Sequence, residues 1–195
     1  MAMQLEMSFT TTRKRAGKKR GPRAVQEICG FDWIKRTVAP GYADAPTESV
    51  SLIDLFCGCG GLTLGVSEAL RCAGKRLDIR FGLDASEQAL DVYKQNFGLS
   101  PDQAMCADIT AILPGALGEA PTPREIEIQQ MGKGVDIVVA GPPCQGHSNL
   151  NNVTRREDER NSLYLRVIRL AELVTPRLVL IENVPSVLQD RGGVV

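Results

Sequence analysis

The sequence predicts a doubly wound, mostly parallel α/β sheet over residues 50 to 195, preceded by a separate arm over residues 1 to 49. Three observations predict it. Short apolar runs alternate with stretches whose apolar residues recur at three- and four-residue steps, the runs are apolar on both faces, and the unusual residues cluster where the runs end. Strands buried on both faces and joined through helices make a parallel sheet, whose ligands gather outside its carboxyl ends.

The first strand is VSLIDLF, residues 50 to 56, which runs into glycine. Leu62, Val66, Ala69 and Leu70 then trace a helix that stops near Gly74. IRFGLD, residues 79 to 84, is the second strand, and Ser86 caps a helix through Asn96 that Gly98 ends. AMCAD, residues 104 to 108, reads as a weaker third strand. Thr122, Pro123 and Glu125 form a capping box for a helix to about Met131, and VDIVVAG follows as the fourth strand. Leu163, Val167, Leu170, Ala171 and Val174 make one helical stripe up to Pro176, and RLVLIEN from Arg177 supplies the fifth strand.

Composition bounds the class. With 43% hydrophobic and 24% charged residues, the 195-residue chain suits one buried domain plus an extension. Bases and acids both number 23, yet seven bases and no acid fall between Arg13 and Arg23, leaving 16 bases against 23 acids elsewhere. That segment reads as a polar arm, either a phosphate-contacting tail or a solvated one. A short helix is expected between Ala24 and Arg36. Six cysteines without a CxxC pair, and a single histidine, do not assemble a four-ligand zinc site, so no metal is expected. They fit a reducing, intracellular compartment, cytoplasmic if the source is bacterial. No apolar run approaches a membrane span, and no membrane partner is expected.

Between the first strand and its helix lies FCGCGG, residues 56 to 61. Gly58, Gly60 and Gly61 let the backbone turn tightly and approach a ligand, and the helix amino terminus behind them offers free N–H groups. Asp84 closes the second strand 23 residues after Gly61, where a carboxylate accepts from ribose hydroxyls, which indicates an adenosine-containing ligand. Asp108, closing the third strand, is expected to face the adenine. A bland tight turn has the same composition. The spacing is not GxGxxG and no GK[ST] follows, which counts against a nicotinamide dinucleotide and removes a P-loop.

The fourth strand ends in GPPCQGHSNLN, residues 141 to 151, where two prolines stiffen the chain and present Cys144 at the sheet edge. Enzymes that methylate an exocyclic amine tend to place an aromatic residue after such a pair, whereas a thiol implies covalent chemistry. Carbon 5 of cytosine is a poor nucleophile inside an aromatic ring, and addition of a thiolate at carbon 6 breaks that aromaticity. An acid at ring N3 assists the addition, so the site wants a carboxyl group beside the cysteine. Glu182, followed by Asn183 at the end of the fifth strand, is placed for it, provided the fourth and fifth strands are neighbours. Cys57 and Cys59 read as packing residues. His147 suggests a cysteine–histidine dyad of a hydrolase as the competing reading.

In this order, DLFCGCGGLTLG (54 to 65), Asp84, Asp108 with Ile109, PPCQG, DERNSLYLRVIRL (158 to 170) and ENV (182 to 184) resemble the amino-terminal part of a cytosine-5 DNA methyltransferase catalytic domain. The resemblance implies S-adenosyl-L-methionine as cofactor, base flipping from double-stranded DNA, and the Rossmann-like methyltransferase fold. It implies cofactor contacts from Phe56, Gly58, Gly60, Gly61, Asp84, Asp108, Ile109 and Pro142, and catalysis by Cys144, Glu182 and Asn183. Arg160, Asn161 and Leu163 resemble the motif that follows the catalytic one. Ser148, Asn149, Asn151, Asn152, Arg155 and Arg156 are the expected loop that closes over DNA. The family commonly has phenylalanine where His147 stands, which bears on base stacking or loop packing. No QxRxR segment, target-recognition region or closing motif is present, so the expectation is a fragment or one subunit completed by a second polypeptide. A cytosine-5 methyltransferase of transfer RNA, and a non-catalytic module that only holds cofactor, are the alternatives.

Overall fold

In the computed structural model the described residues are 48–143 and 156–183, without the side chains of 156–162. Cys144, His147, the polar loop to Arg155, the side chains of Arg156, Arg160 and Asn161, the basic arm and the helix expected at 24–36 lie outside them.

Among the described residues, five strands form one parallel sheet in the order β3-β2-β1-β4-β5. In chain order these are β1 (Ser49–Leu55), β2 (Arg76–Asp84), β3 (Ala104–Cys106), β4 (Ile137–Ala140) and β5 (Leu178–Ile181). Helices α1 (Gly61–Cys72), α2 (Glu87–Phe97), α3 (Ile109–Ile112), α4 (Pro123–Met131) and α5 (Arg156–Val174) connect them. The expected parallel α/β architecture is therefore what the chain adopts, with β4 and β5 adjacent and paired from Ile137↔Leu178 to Ala140↔Ile181.

Alternation along each strand sends side chains to two layers. Ile53, Leu55, Val138 and Ala140 face one core with Val167, Leu170 and Val174 of α5 and Ile128 of α4. Leu52 and Val139 face the other with Leu90 and Tyr93 of α2, against which Leu62 and Val66 of α1 pack. Removing each of these valine, leucine and isoleucine side chains from water contributes about 1.5–3 kcal/mol.

The element bounds differ from the sequence reading for local reasons. β2 starts at Arg76, three residues before the apolar run, because Arg76, Leu77 and Asp78 pair with Ser49, Val50 and Ser51. The register then shifts: Leu52 pairs with Ile79 and Ile53 with Phe81, so Arg80 is an inserted, exposed residue. β3 ends at Cys106, and Asp108 is not its last residue. Asp108 instead caps α3, its Oδ1 accepting from the Thr110 N–H at 2.8 Å. β4 starts only at Ile137, since Asp136 turns its carboxylate to the Ser51 N–H (2.9 Å) and hydroxyl (2.8 Å). α5 begins at Arg156, well before its apolar stripe, through a first turn too polar to show periodicity.

The caps follow their sequence signals. Ser86 Oγ accepts from the Ala89 N–H, and Gly98 closes α2 with left-handed backbone. Thr122 and Glu125 form the capping box of α4. Among the described residues no helix is long and apolar enough to cross a membrane.

Candidate cofactor and nucleophile site

The strand order reverses direction at β1, with β2 on one side and β4 on the other, which opens a crevice at the carboxyl ends of these strands. β1 leaves the sheet through Phe56, whose φ of 58° is left-handed, a conformation that a bulky residue keeps only when its surroundings hold it. The Cys57 N–H donates to Leu83 O (3.1 Å) and the Gly60 N–H to Cys57 O (2.8 Å), so the turn is stitched to the end of β2. At Gly60, with φ +95°, a Cβ would come within 2.3 Å of Phe97 Cε2 and 2.9 Å of Tyr93 Cδ2. Only glycine fits this position, which starts α1.

Asp84 fastens the turn from the other side. Its Oδ2 accepts from the Gly58 N–H at 2.8 Å and its Oδ1 from the Ser86 N–H at 2.8 Å. Each carboxylate oxygen offers more than one lone pair, which leaves acceptor capacity for a ribose hydroxyl. The Asn96 side-chain amide holds Cys59 O at 3.0 Å.

Beside the turn lies a cleft of about 400 Å³ lined by Phe56, Leu83, Asp84, Ala85, Ala107, Asp108, Ile109, Gly141, Pro143 and Leu163. Phe56, Asp84, Asp108 and Ile109, expected at a cofactor, are thus brought together. Gly58, Gly60, Gly61 and Pro142 do not line the cleft: the glycines shape the turn behind it, and Pro142 is buried where the next proline is exposed. The lining combines an acid at the end of β2 and an acid capping α3 with apolar Phe56, Ile109 and Leu163, which suits a ribose and a flat heterocycle. Bonds from the Thr110 N–H and hydroxyl lower the Asp108 carboxyl below the ordinary range.

At the other side of the cleft the Gly141 N–H donates to Leu55 O (3.2 Å) and the Glu182 N–H to Ala140 O (2.8 Å), continuing the ladders past the strands. A Cβ on Gly141 would stand 4.0 Å from Glu182 Oε2, so the exposed Glu182 carboxylate lies over the start of the GPPCQG run. Asn183 follows, half-buried. Cys144 is three residues beyond Gly141 in the sequence and outside the described residues.

Cys57 is buried as expected, and burial first, then the Asp54 and Asp84 charges, push its thiol far up, which keeps it inert. Cys59 is exposed at the tip of the turn and does not pack, contrary to the sequence reading, because the two flanking glycines carry it away from both cores. Sequence reasoning also missed a polar chain beneath the turn. Asp54, with no exposed surface, accepts from the Thr63 hydroxyl at 2.6 Å, and Tyr93 Oη is 3.0 Å from Thr63 Oγ1. An acid inside an otherwise apolar strand was the available signal.

Residues 50–195 match the family model of the C-5 cytosine-specific DNA methylases. The type II methyltransferase M1.BsuMI of Bacillus subtilis (strain 168) is 44% identical over 169 residues, covering 87% of this chain and 39% of that protein. The type II methyltransferase M.AgeI of Thalassovita gelatinovora is 37% identical over 146 residues, 73% of this chain and 30% of that protein. The DNA (cytosine-5)-methyltransferase PliMCI of Paracentrotus lividus is 27% identical over 155 residues, 78% of this chain and 9% of that protein. The chain spans less than half the length of each of these relatives.

Proposed function

The chain belongs to the C-5 cytosine-specific DNA methylase family, and from that premise we propose that it serves methyl transfer from S-adenosyl-L-methionine to carbon 5 of cytosine in double-stranded DNA. The observation that carries this reading is the pairing of β4 with β5. It sets Glu182 over Gly141 at the lip of the cleft, three residues before Cys144.

In this reading Asp84 accepts from the ribose hydroxyls of the cofactor, while Phe56 and Ile109 flank its adenine with Asp108 at the edge. Pro142 stiffens the strand exit, and Gly58, Gly60 and Gly61 keep the turn close to the ligand. When bound, the cofactor supplies an electrophilic methyl group. The Cys144 thiolate adds to carbon 6, and the Glu182 carboxyl group donates a hydrogen bond or proton to N3, so that electron density appears at carbon 5. Asn183 holds the base beside Glu182. After transfer, a base removes the proton at carbon 5, and the Cys144 sulfur leaves carbon 6 with its bonding pair to restore the aromatic ring. The cytosine must first leave the duplex, at a cost of a few kcal/mol of stacking and pairing.

The portions that the relatives carry beyond the matched stretch complete the site in this reading, supplied by the same or a second polypeptide. Transfer of labelled methyl groups to duplex DNA tests the function, with transfer RNA as the competing substrate. With those portions present, DNA is expected to be labelled and transfer RNA not, and Cys144→Ser is expected to abolish labelling. Labelling that survives the substitution removes the nucleophile, and preference for transfer RNA removes the substrate.

A further inference from the structure

Arg166 of α5 takes no part in any step above, yet it joins two of the elements that wall the cleft. Its Nη1 donates to Leu113 O at 2.6 Å and to Gly115 O at 2.8 Å, and its Nε has no hydrogen-bond partner among the described residues. Leu113 is the residue at which α3 ends. Asp108, which caps the other end of α3, and Ile109, its first residue, line the cleft, and so does Leu163, one helical turn before Arg166 on α5. One guanidinium thus ties the far end of one wall to the helix that carries the other.

A helix as short as α3 does not hold its own position. Its four residues make a single turn, which fixes more backbone than its few bonds repay, and its last carbonyls have no partner inside the helix. Ile109, Ile112 and Leu113 pack in one core with Val167 and Leu170 of α5, but apolar burial is non-directional. The charge-assisted bonds of Arg166 are short and directional. The chain after them is held separately: the Gly115 N–H donates to Glu125 Oε1 and the Gly118 N–H to Glu172 Oε1, and Arg169 binds both carboxylates. Those bonds anchor the loop to α4 and α5, and Arg166 adds a tie from α5 to the end of α3 itself.

We propose that Arg166 is a positioning residue for the cofactor, fixing Asp108 and Ile109 of one cleft wall against Leu163 of the other. This rests on the cofactor reading above, in which the cleft takes the adenosine end of S-adenosylmethionine. Without the two bonds the core still forms around α3, but the gap between the walls is no longer set, and a flat heterocycle loses its preformed fit. The effect belongs to the adenosine end, so adenosine alone and the whole cofactor lose affinity by the same factor.

The test is calorimetric titration of the full chain, with the portions that complete it present, using S-adenosylmethionine and adenosine, beside urea denaturation of each variant. Arg166→Met, which keeps an unbranched apolar stem and loses both bonds, is expected to lower both affinities about tenfold, the low end of what losing an outer hydrogen-bond partner costs at metal sites. Ser51→Ala loses its bonds with Asp136 near the amino end of β1, away from the cleft. It is expected to lower stability and leave both affinities within about twofold, as distant sites act independently. Unchanged affinities in Arg166→Met, a loss confined to S-adenosylmethionine, or an equal loss in Ser51→Ala overturns this inference alone. If Arg166→Met does not fold, hydrogen exchange of the wild-type protein decides. By reciprocity adenosine then slows exchange of the Leu113 N–H, which is bound to Ile109 O, more than exchange in α4, and equal slowing overturns the inference. Failure of both ligands to bind the wild-type protein overturns the cofactor reading and this inference with it.

Discussion

Asp84 Oδ2 accepts a 2.8 Å hydrogen bond from the Gly58 N–H, so one carboxylate both closes β2 and fastens the glycine-rich turn that follows β1. Asp84→Ala leaves that N–H and the Ser86 N–H without their acceptor, at about 1–3 kcal/mol. Cofactor affinity is expected to fall at least about tenfold. Titration calorimetry and urea denaturation separate the two effects, and Asp84→Asn, which keeps one acceptor, is expected to fall between.

Gly60→Ala meets two obstacles, a φ of +95° and a Cβ within 2.3 Å of the Phe97 ring. Overpacking and backbone strain together are expected to cost about 2–4 kcal/mol. Gly58→Ala has the strain (φ +51°) but open space around it, and is expected to cost clearly less. Thermal unfolding of the pair checks the order.

Glu125 and Arg169 make a buried bidentate ion pair, 3.1 Å from Nε to Oε1 and 3.0 Å from the second nitrogen to Oε2. The Arg169 hydrogen bonds hold the Glu125 carboxyl down at about 2. A depressed carboxyl stabilises the fold fully above its ordinary value near 4.5, and that stability is lost as pH falls through about 2. Glu125→Gln, which leaves the buried guanidinium with only the partly exposed Glu172 carboxylate as counter-charge, is expected to cost about 3 kcal/mol near neutral pH, the low end for a broken buried pair. The acid limb of its stability curve is expected to be shallower, which denaturation between about pH 2 and pH 7 reads out.

Much of this architecture was legible because local signals and burial agreed. The two-faced apolar runs gave the parallel sheet, and Ser86, Gly98 and the Thr122–Glu125 box marked helix ends that the structure keeps. The lining of one cleft was legible in Phe56, Asp84, Asp108 and Ile109, which the fold brings together. Positions decided by tertiary pairing were not legible. Arg76 to Asp78 enter β2 only because Ser49 to Ser51 lie alongside, and no pattern within RLD announces that. Asp108 looked like a strand end because a four-residue helix is too short to show a periodicity, although aspartate is a preferred helix cap. The Asp54–Thr63–Tyr93 chain joins three elements, so sequence spacing alone does not reveal it.

Glu182 lies exposed over Gly141 and belongs to neither core cluster. Glu182→Gln is expected to leave folding and cofactor affinity within a factor of about two while lowering methyl transfer by about 10²–10⁴. Single-turnover transfer to duplex DNA, set beside cofactor titration, checks the split between chemistry and binding.

In the function proposed above, Cys144 attacks carbon 6 of cytosine. Duplex DNA carrying 5-fluorocytosine cannot lose the substituent at carbon 5, so a completed addition and methyl transfer leaves the protein covalently attached. With S-adenosylmethionine present, mass spectrometry is expected to find one adduct per chain on the peptide that contains Cys144, and none with Cys144→Ser. An adduct that persists in Cys144→Ser, or no adduct when the completing portions are present and both cofactor and DNA are bound, would rule out Cys144 as the nucleophile.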